Sequence, residues 1–336
     1  MTLRPVSRAL RRGLALAALL LGLALAASPL DGWRRGVNLE GWLAGPDPLL
    51  GPARLAQLAQ VRAAGFDFVR VPLDPALFIS AQPGAAEPQG SLDRLLSGAK
   101  ARGLGVLLAF APRPDLKAQV LRGGLARDTY LALLERLSGR VAAAGLPRAL
   151  IEPLDEPVDP NRADCGPSRF DWPGTLSALV GAVRRGAPRL PALVSGLCYA
   201  DSSSLTDLRP LADKNVVYGF QYLDPLNFTQ QGNPTDDDWK KLKNVPYGAS
   251  DARMMQAAFS AVGSWARQYS LPVLLTSFTV HGSAPREGRL RWLRDVRVQA
   301  EGQHFAWAVW TWQSPYGFGL SDGGRLPDEL KRALGL

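Results

Sequence analysis

From Gly36 to the end of the chain, short apolar runs of strand length alternate with longer stretches in which apolar residues recur at helical spacing. The runs are GVNLEGWL, DFVRVPLDP, GVLLAFAPRP, ALIEPLDEP, ALVSGLCYA, NVVYGFQYLDP, PVLLTSFTVHG and HFAWAVWTWQS. Between them, PARLAQLAQVRAAG, SLDRLLSGAKARG, TYLALLERLSGRVAAAG, ARMMQAAFSAVGSWARQYS and RLRWLRDVRVQAEG place apolar residues on one helical face. Strand and helix in alternation predict a parallel sheet with crossover helices. Eight repeats predict its closure into an α/β (β/α)8 barrel, a TIM barrel, because an open doubly wound sheet usually has fewer strands. No GxGxxG or GxxxxGK[ST] turn follows a strand, so a nucleotide partner is not expected.

The N-terminus departs from this pattern. Arg4, Arg8, Arg11 and Arg12 precede an apolar run, Leu14 to Ala27, that ends in small residues. That is the layout of a secretory signal peptide, with cleavage best placed after Ala26. The run is shorter than the roughly 20 apolar residues of a bilayer span, and an uncleaved anchor is the alternative. The expected organisation is a signal peptide over 1–26 and one barrel domain over 27–336, secreted or periplasmic. Loss of the leader takes the formal net charge from +9 to +5. The remaining basic residues are scattered over helices such as AVRRGAPR, which argues against nucleic acid as a partner. An exported chain allows Cys165 and Cys198 to pair, and two unpaired thiols remain the other possibility.

In a barrel of this kind chemistry sits at the carboxyl ends of the strands. Polar and aromatic residues there include Glu40, Trp42, Arg70, Asp155, Glu156, Tyr199, Gln221, Tyr222, Ser277, Trp310 and Trp312. Hydrolysis of a glycosidic bond usually takes two carboxyl groups, one protonating the leaving oxygen and one attacking the sugar carbon or activating water. Glu156, which ends ALIEPLDEP and is followed by a proline, is the natural acid.

RGVNLEGW, FVRVPL, IEPLDEP, YGFQYLDPLNFTQQG and WTWQSPYGFGLSD stand in the order and at the spacing of successive signatures of glycoside hydrolase family 5, which the chain therefore resembles over nearly its whole mature length. The resemblance implies a cellulase-like TIM barrel without metal or cofactor, acting on a polysaccharide. Arg70 then matches the barrel arginine, Glu156 the acid/base, and Trp310 the tryptophan beneath the reacting sugar. Asp155 stands where the family has asparagine, and Trp42, Gln221, Tyr222 and Trp312 are further candidates for contact with sugar.

The departures cluster at the reacting centre. Strand seven reads TSFT, so Ser277 occupies the position of the nucleophilic glutamate. A histidine after strand three is replaced near Ala111, and a His-x-Tyr on strand six reads Gln221, Tyr222, Leu223. Serine is no simple substitute, because a glycosyl ether has a far poorer leaving group than a glycosyl ester. Serine also needs a base, and the only histidines are His281 and His304.

Asp155 restores the charge that Ser277 removes. An arginine inside a barrel needs an anion, so Arg70 is expected to contact an acid of strand four: Asp155, Glu152 or Glu156. The leading expectation is a glycan-directed barrel, a pseudoenzyme or weak hydrolase, acting in β-glucan-like polysaccharide recognition or within exopolysaccharide machinery of the cell envelope. The alternative is an active O-glycosyl hydrolase with Glu156 as acid and a relocated carboxylate, Asp224 or Asp155; Glu287 and Asp322 read as loop residues. A third class is an interaction protein with a plugged mouth.

Overall fold

The computed structural model describes residues 28–44, 50–79, 86–162, 164–166 and 168–336. The expected signal peptide lies outside the described residues. The eight predicted strands form: β1 (Arg35–Asn38), β2 (Phe68–Leu73), β3 (Gly105–Phe110), β4 (Ala149–Glu152), β5 (Ala192–Ser195), β6 (Val216–Tyr222), β7 (Val273–Phe278) and β8 (Ala306–Val309). All neighbours are parallel and β1 pairs with both β2 and β8, so the sheet closes in sequence order.

The crossover helices include α1 (Pro52–Ala64), α2 (Ala76–Ile79), α3 (Ala86–Lys100), α4 (Pro114–Arg122), α5 (Gly124–Ala143), α6 (Trp172–Gly186), α7 (Ser202–Thr206), α8 (Leu226–Thr229), α9 (Ala249–Tyr269), α10 (Arg286–Gly302) and α11 (Asp328–Leu334). Several begin up to five residues before the apolar periodicity does, because a first helical turn needs no buried face. In α1 the boundaries follow local chemistry. Pro52 supplies a preset φ in the first turn, and Gly65, at φ 109°, closes the last. Among the described residues no helix is long and apolar enough to cross a membrane.

Strand alternation sorts side chains into two compartments. Val37, Val69, Val71, Leu108, Ile151, Val194, Leu275, Trp307 and Val309 pack outward into the large core between strands and helices. Phe68, Leu107, Leu150, Leu193, Val217, Leu274, Ala306 and Ala308 fill the lower barrel interior, which Trp33 plugs from below with its ring 4.8 Å from that of Phe68. A Cβ on Gly36 would lie 2.3 Å from the Phe68 ring, so glycine is required for that ring to occupy the interior. Each fully buried large apolar side chain contributes about 1.5–3 kcal/mol.

Above this apolar floor the inward positions turn polar, with Asn38, Arg70, Glu152, Ser195 and Thr276 all buried. The strands thus deliver a packed base and a polar upper layer directly beneath the mouth.

Candidate active site

Arg70 is the centre of the polar layer and is 1 % exposed. Its Nε donates to Glu152 Oε2 at 2.8 Å, its Nη2 to Asp155 Oδ1 at 2.5 Å, and its Nη1 to Asn38 Oδ1 at 3.0 Å. Asn38 is held in turn by donating to the carbonyl of Thr276 at 3.1 Å. The expected compensation of Arg70 by acids of the fourth strand is therefore met twice over, by Glu152 and Asp155. Burial alone would lower the Arg70 pKa, but the two carboxylates reverse this and hold it charged. Glu152 is pushed up, to about 7, chiefly by burial, with Arg70 opposing and the charge of Asp155 adding to the rise.

Glu156 follows this layer at the mouth, with φ 48°, a left-handed conformation that non-glycine residues rarely adopt. Its Oε1 accepts from Gln221 Nε2 at 3.1 Å, and its carbonyl accepts from Lys117 Nζ at 2.9 Å. Burial first, and the negative Asp155 second, raise its pKa, against the opposing influence of Lys117, Gln221 and Arg70. A carboxyl with a raised pKa at the end of a barrel strand is suited to proton donation.

Ser277 reaches the same mouth through an irregularity in β7. Leu275 pairs with Phe220 while Ser277 pairs with Gln221, leaving Thr276 as an extra residue. Such a bulge re-aims the side chains after it. Phe278 consequently packs outward against Trp292 and Trp307, and Ser277 falls on the barrel-facing side beside Gln221, 6 % exposed.

Neither histidine serves the Ser277 hydroxyl. His281 Nε2 bonds the carbonyl of Tyr316 at 2.9 Å, its Nδ1 accepts from the amide of Ser283 at 3.2 Å, and burial lowers its pKa. His304 precedes β8 and lies at the opposite end of the barrel.

The other carboxyl groups differ in availability. Asp155 is committed to Arg70. Asp224 stands on the exposed loop after β6, and its pKa is raised by partial burial and by the nearby Asp201. Glu287 is exposed in the first turn of α10, and Asp322 lies in an exposed turn closed with Arg325. Glu40, at an inward position two residues beyond β1, bonds Ser314 and is raised by burial, and its Oε2 is buried without a hydrogen-bond partner. The sequence marked Glu40 only as a strand-end residue; its alternation with Gly36 and Asn38 was the signal that could have singled it out.

The aromatic candidates separate. Trp310 is partly exposed, on the inward parity set by Ala306 and Ala308, and its amide donates to the Phe278 carbonyl at 3.0 Å. Three others need correction. Tyr222 points outward, stacked on Trp292 at 6.1 Å and edge-on to Phe259 at 5.2 Å, because Gln221 takes the inward position. Trp312 is 1 % exposed with its ring edge-on to Phe66 at 6.3 Å, and Trp42 is 4 % exposed in the same strand–helix core. These three rings are spent on packing rather than presented to a sugar. Ala111 puts no polar side chain at the position directly after β3.

Cys165 and Cys198 form a disulfide with Cα atoms 5.3 Å apart, joining the loops after β4 and β5. Among the described residues no cluster of His, Cys, Asp and Glu could hold a metal ion.

No family model matches the chain. One curated relative, Endoglucanase H of Acetivibrio thermocellus, is 24 % identical over 134 residues, which is 40 % of this chain and only 14 % of that protein's length. Solved structures match far more of it. Cellulose synthase subunit Z (CcsZ) of Clostridioides difficile superposes with a TM-score of 0.77 at 21 % identity, covering 90 % of this chain and 99 % of that one. Endoglucanase Cel5A of Thermotoga maritima gives 0.79 at 22 % identity, covering 92 % and 100 %. Cel5A in complex with mannotriose gives 0.78 at 22 %, covering 91 % and 98 %. At this identity the likeness is one of fold, the closed (β/α)8 barrel that the sequence resemblance to family 5 implied.

Proposed function

We propose that the protein is an exported, polysaccharide-directed barrel of the family 5 type that retains a sugar-binding mouth and an acid but hydrolyses weakly or not at all. The observation that carries this reading is Ser277 on the barrel-facing side of β7, a hydroxyl where the family has its nucleophilic carboxylate, with neither histidine serving it as a base. A retaining mechanism needs an attacking carboxylate, and a hydroxyl without a base cannot take that role. Asp155, the nearest charge replacement, holds Arg70.

Support for a polysaccharide ligand comes from Trp310 at the mouth, an aromatic face of the kind that stacks on the apolar C–H face of a sugar. It comes also from the fold shared with endoglucanases and with a cellulose synthase subunit. The leader sequence and that last neighbour favour work within exopolysaccharide machinery at the cell envelope. A glycan array on the mature chain tests this: binding to β-glucan-type oligosaccharides is expected, and no binding to any glycan would contradict it.

Two observations favour a second reading, an active hydrolase. Asp224 has no side-chain partner among the described residues and Glu40 keeps one oxygen unpartnered, so either could supply a second carboxyl to Glu156. Under that reading, hydrolysis is lost in Glu156→Ala and also in Asp224→Asn or Glu40→Gln.

A further inference from the structure

We propose that the Cys165–Cys198 disulfide is a positioning element of the barrel mouth, holding the turn 198–200 in the conformation that clamps Pro157 and Gln221 and so fixes the Glu156 carboxyl. This rests on the functional reading only in taking Glu156 as the working acid.

The geometry is a closed ring of contacts. The amides of Cys198 and Tyr199 both donate to the carbonyl of Pro157, the residue after Glu156, at 2.8 Å each. Two residues on, the carbonyl of Ala200 accepts from the amide of Gln221 at 2.7 Å, and Asp201 bridges to Gln221. Gln221 then closes the ring through its side chain onto Glu156 Oε1 at 3.1 Å. The turn after β5 therefore touches the acid from both sides, through the backbone that carries it and through the residue that bonds it.

That turn is in a conformation its residues resist. Cys198, Tyr199 and Ala200 stand at φ 90°, 54° and 59°, and Glu156 and Cys165 at 48° and 58°. None is glycine, and consecutive left-handed residues clash at Cβ. Such a turn persists only where surrounding structure over-determines it. Backbone hydrogen bonds from Cys198 and Tyr199 to Pro157, from Gln221 to Ala200 and from Asp201 to Cys198 hold the turn, and the covalent bond between Cys198 and the loop after β4 adds a tie that opens only when it is cleaved.

The alternative is a staple that raises stability and leaves the acid alone. The two roles separate in the titration of Glu156 in the sugar-free protein. The charged and titratable groups around it are Asp155 and Glu152 on the β4 side, Arg70 on β2 and Lys117 on α4, with Gln221 its neutral partner from β6. Burial is the first cause of its raised pKa and outweighs the opposing Gln221 hydrogen bond, so a loosened turn that admits water and frees Gln221 still lowers the midpoint on balance.

The experiment compares wild type, C165A/C198G and C165A/C198A by carbon-13 NMR of labelled glutamate side chains, with Glu156→Gln assigning the signal. Glycine at 198 accepts φ 90° freely, whereas alanine does not. The midpoint is expected to fall in the order wild type, C165A/C198G, C165A/C198A, by on the order of one pH unit overall. Equal midpoints in folded variants, or a glycine variant no nearer to wild type than the alanine variant, would overturn the proposal.

If C165A/C198A does not fold, the wild-type protein is reduced in the native state with a water-soluble phosphine. The reagent splits the S–S bond, and water supplies the oxygen of the resulting phosphine oxide and the hydrogens of the two thiols. An unchanged Glu156 midpoint after complete reduction then overturns the proposal, and a lowered one supports it. Because no sugar is present, failure of the polysaccharide reading leaves this test intact, and failure here leaves that reading standing.

Discussion

Asp155 Oδ1 lies 2.5 Å from Arg70 Nη2 in the upper barrel interior, where the arginine side chain is 1 % and the aspartate 12 % exposed. Together with Glu152 at 2.8 Å, it leaves one buried cation between two acids. Removing the arginine would strand both. Arg70→Met is expected to destabilise the fold by about 3–5 kcal/mol, the usual cost of breaking a buried pair by deleting one partner. Urea denaturation at neutral pH measures it, and a loss under about 1 kcal/mol would mean the acids are neutral without Arg70.

Glu152 makes stability depend on pH. Its folded pKa, about 7, lies above the ordinary 4.5, so its contribution is fully present below about 4.5 and is lost as pH rises through about 7. Between these values the unfolded chain has released a proton that the folded chain still holds, and stability falls by at most about 1.4 kcal/mol per pH unit. Glu152→Gln should flatten the stability profile across that window. A slope identical to wild type in repeated denaturant titrations would rule Glu152 out as its source.

Ser277 should be dispensable to any residual hydrolysis, because neither histidine serves it as a base. Ser277→Ala is expected to leave such a rate within about twofold, and a fall of 10² or more would make the hydroxyl a nucleophile after all. Ser277→Glu should fail to restore family-type rates. Ala111, Gln221 and Leu223 leave the surroundings altered, and preorganised groups contribute jointly rather than singly. Azide or formate with an activated aryl glycoside should likewise rescue little.

Two tryptophans of one motif should respond oppositely. Trp310→Ala is expected to weaken oligosaccharide binding with little change in melting temperature. Trp312→Ala should cost about 3–5 kcal/mol of stability, since its ring fills core against Phe66. Calorimetric titration beside thermal unfolding separates them, and a stable Trp312→Ala protein with lost binding would return Trp312 to the mouth.

The barrel was legible because eight apolar runs and the helices between them repeat one physical unit, and the acid partner of Arg70 followed from the cost of a lone buried charge. Side-chain direction beyond the strand ends was not legible. Tyr222 and Trp312 carry the same chemistry whether they face sugar or core, and on β7 the extra residue at Thr276 shifts the parity that places Ser277 and Phe278. The turn at Cys198–Ala200 was hidden for another reason. Left-handed backbone is usually signalled by glycine or asparagine, and LCYA contains neither. Pairing of the cysteines depended on how two loops meet, which no local pattern encodes.

Whether hydrolysis by this glycan-directed barrel has lapsed with the carboxylate of strand seven, as proposed, is read most directly from turnover. Reducing-sugar release from soluble β-glucans is measured for the mature protein and for Glu156→Ala, with binding of the same glucans recorded alongside. Binding by both proteins and no efficient release by either is the expected result. Robust release by the unmodified protein, abolished in Glu156→Ala, would contradict it and establish a working carboxylate elsewhere at the mouth.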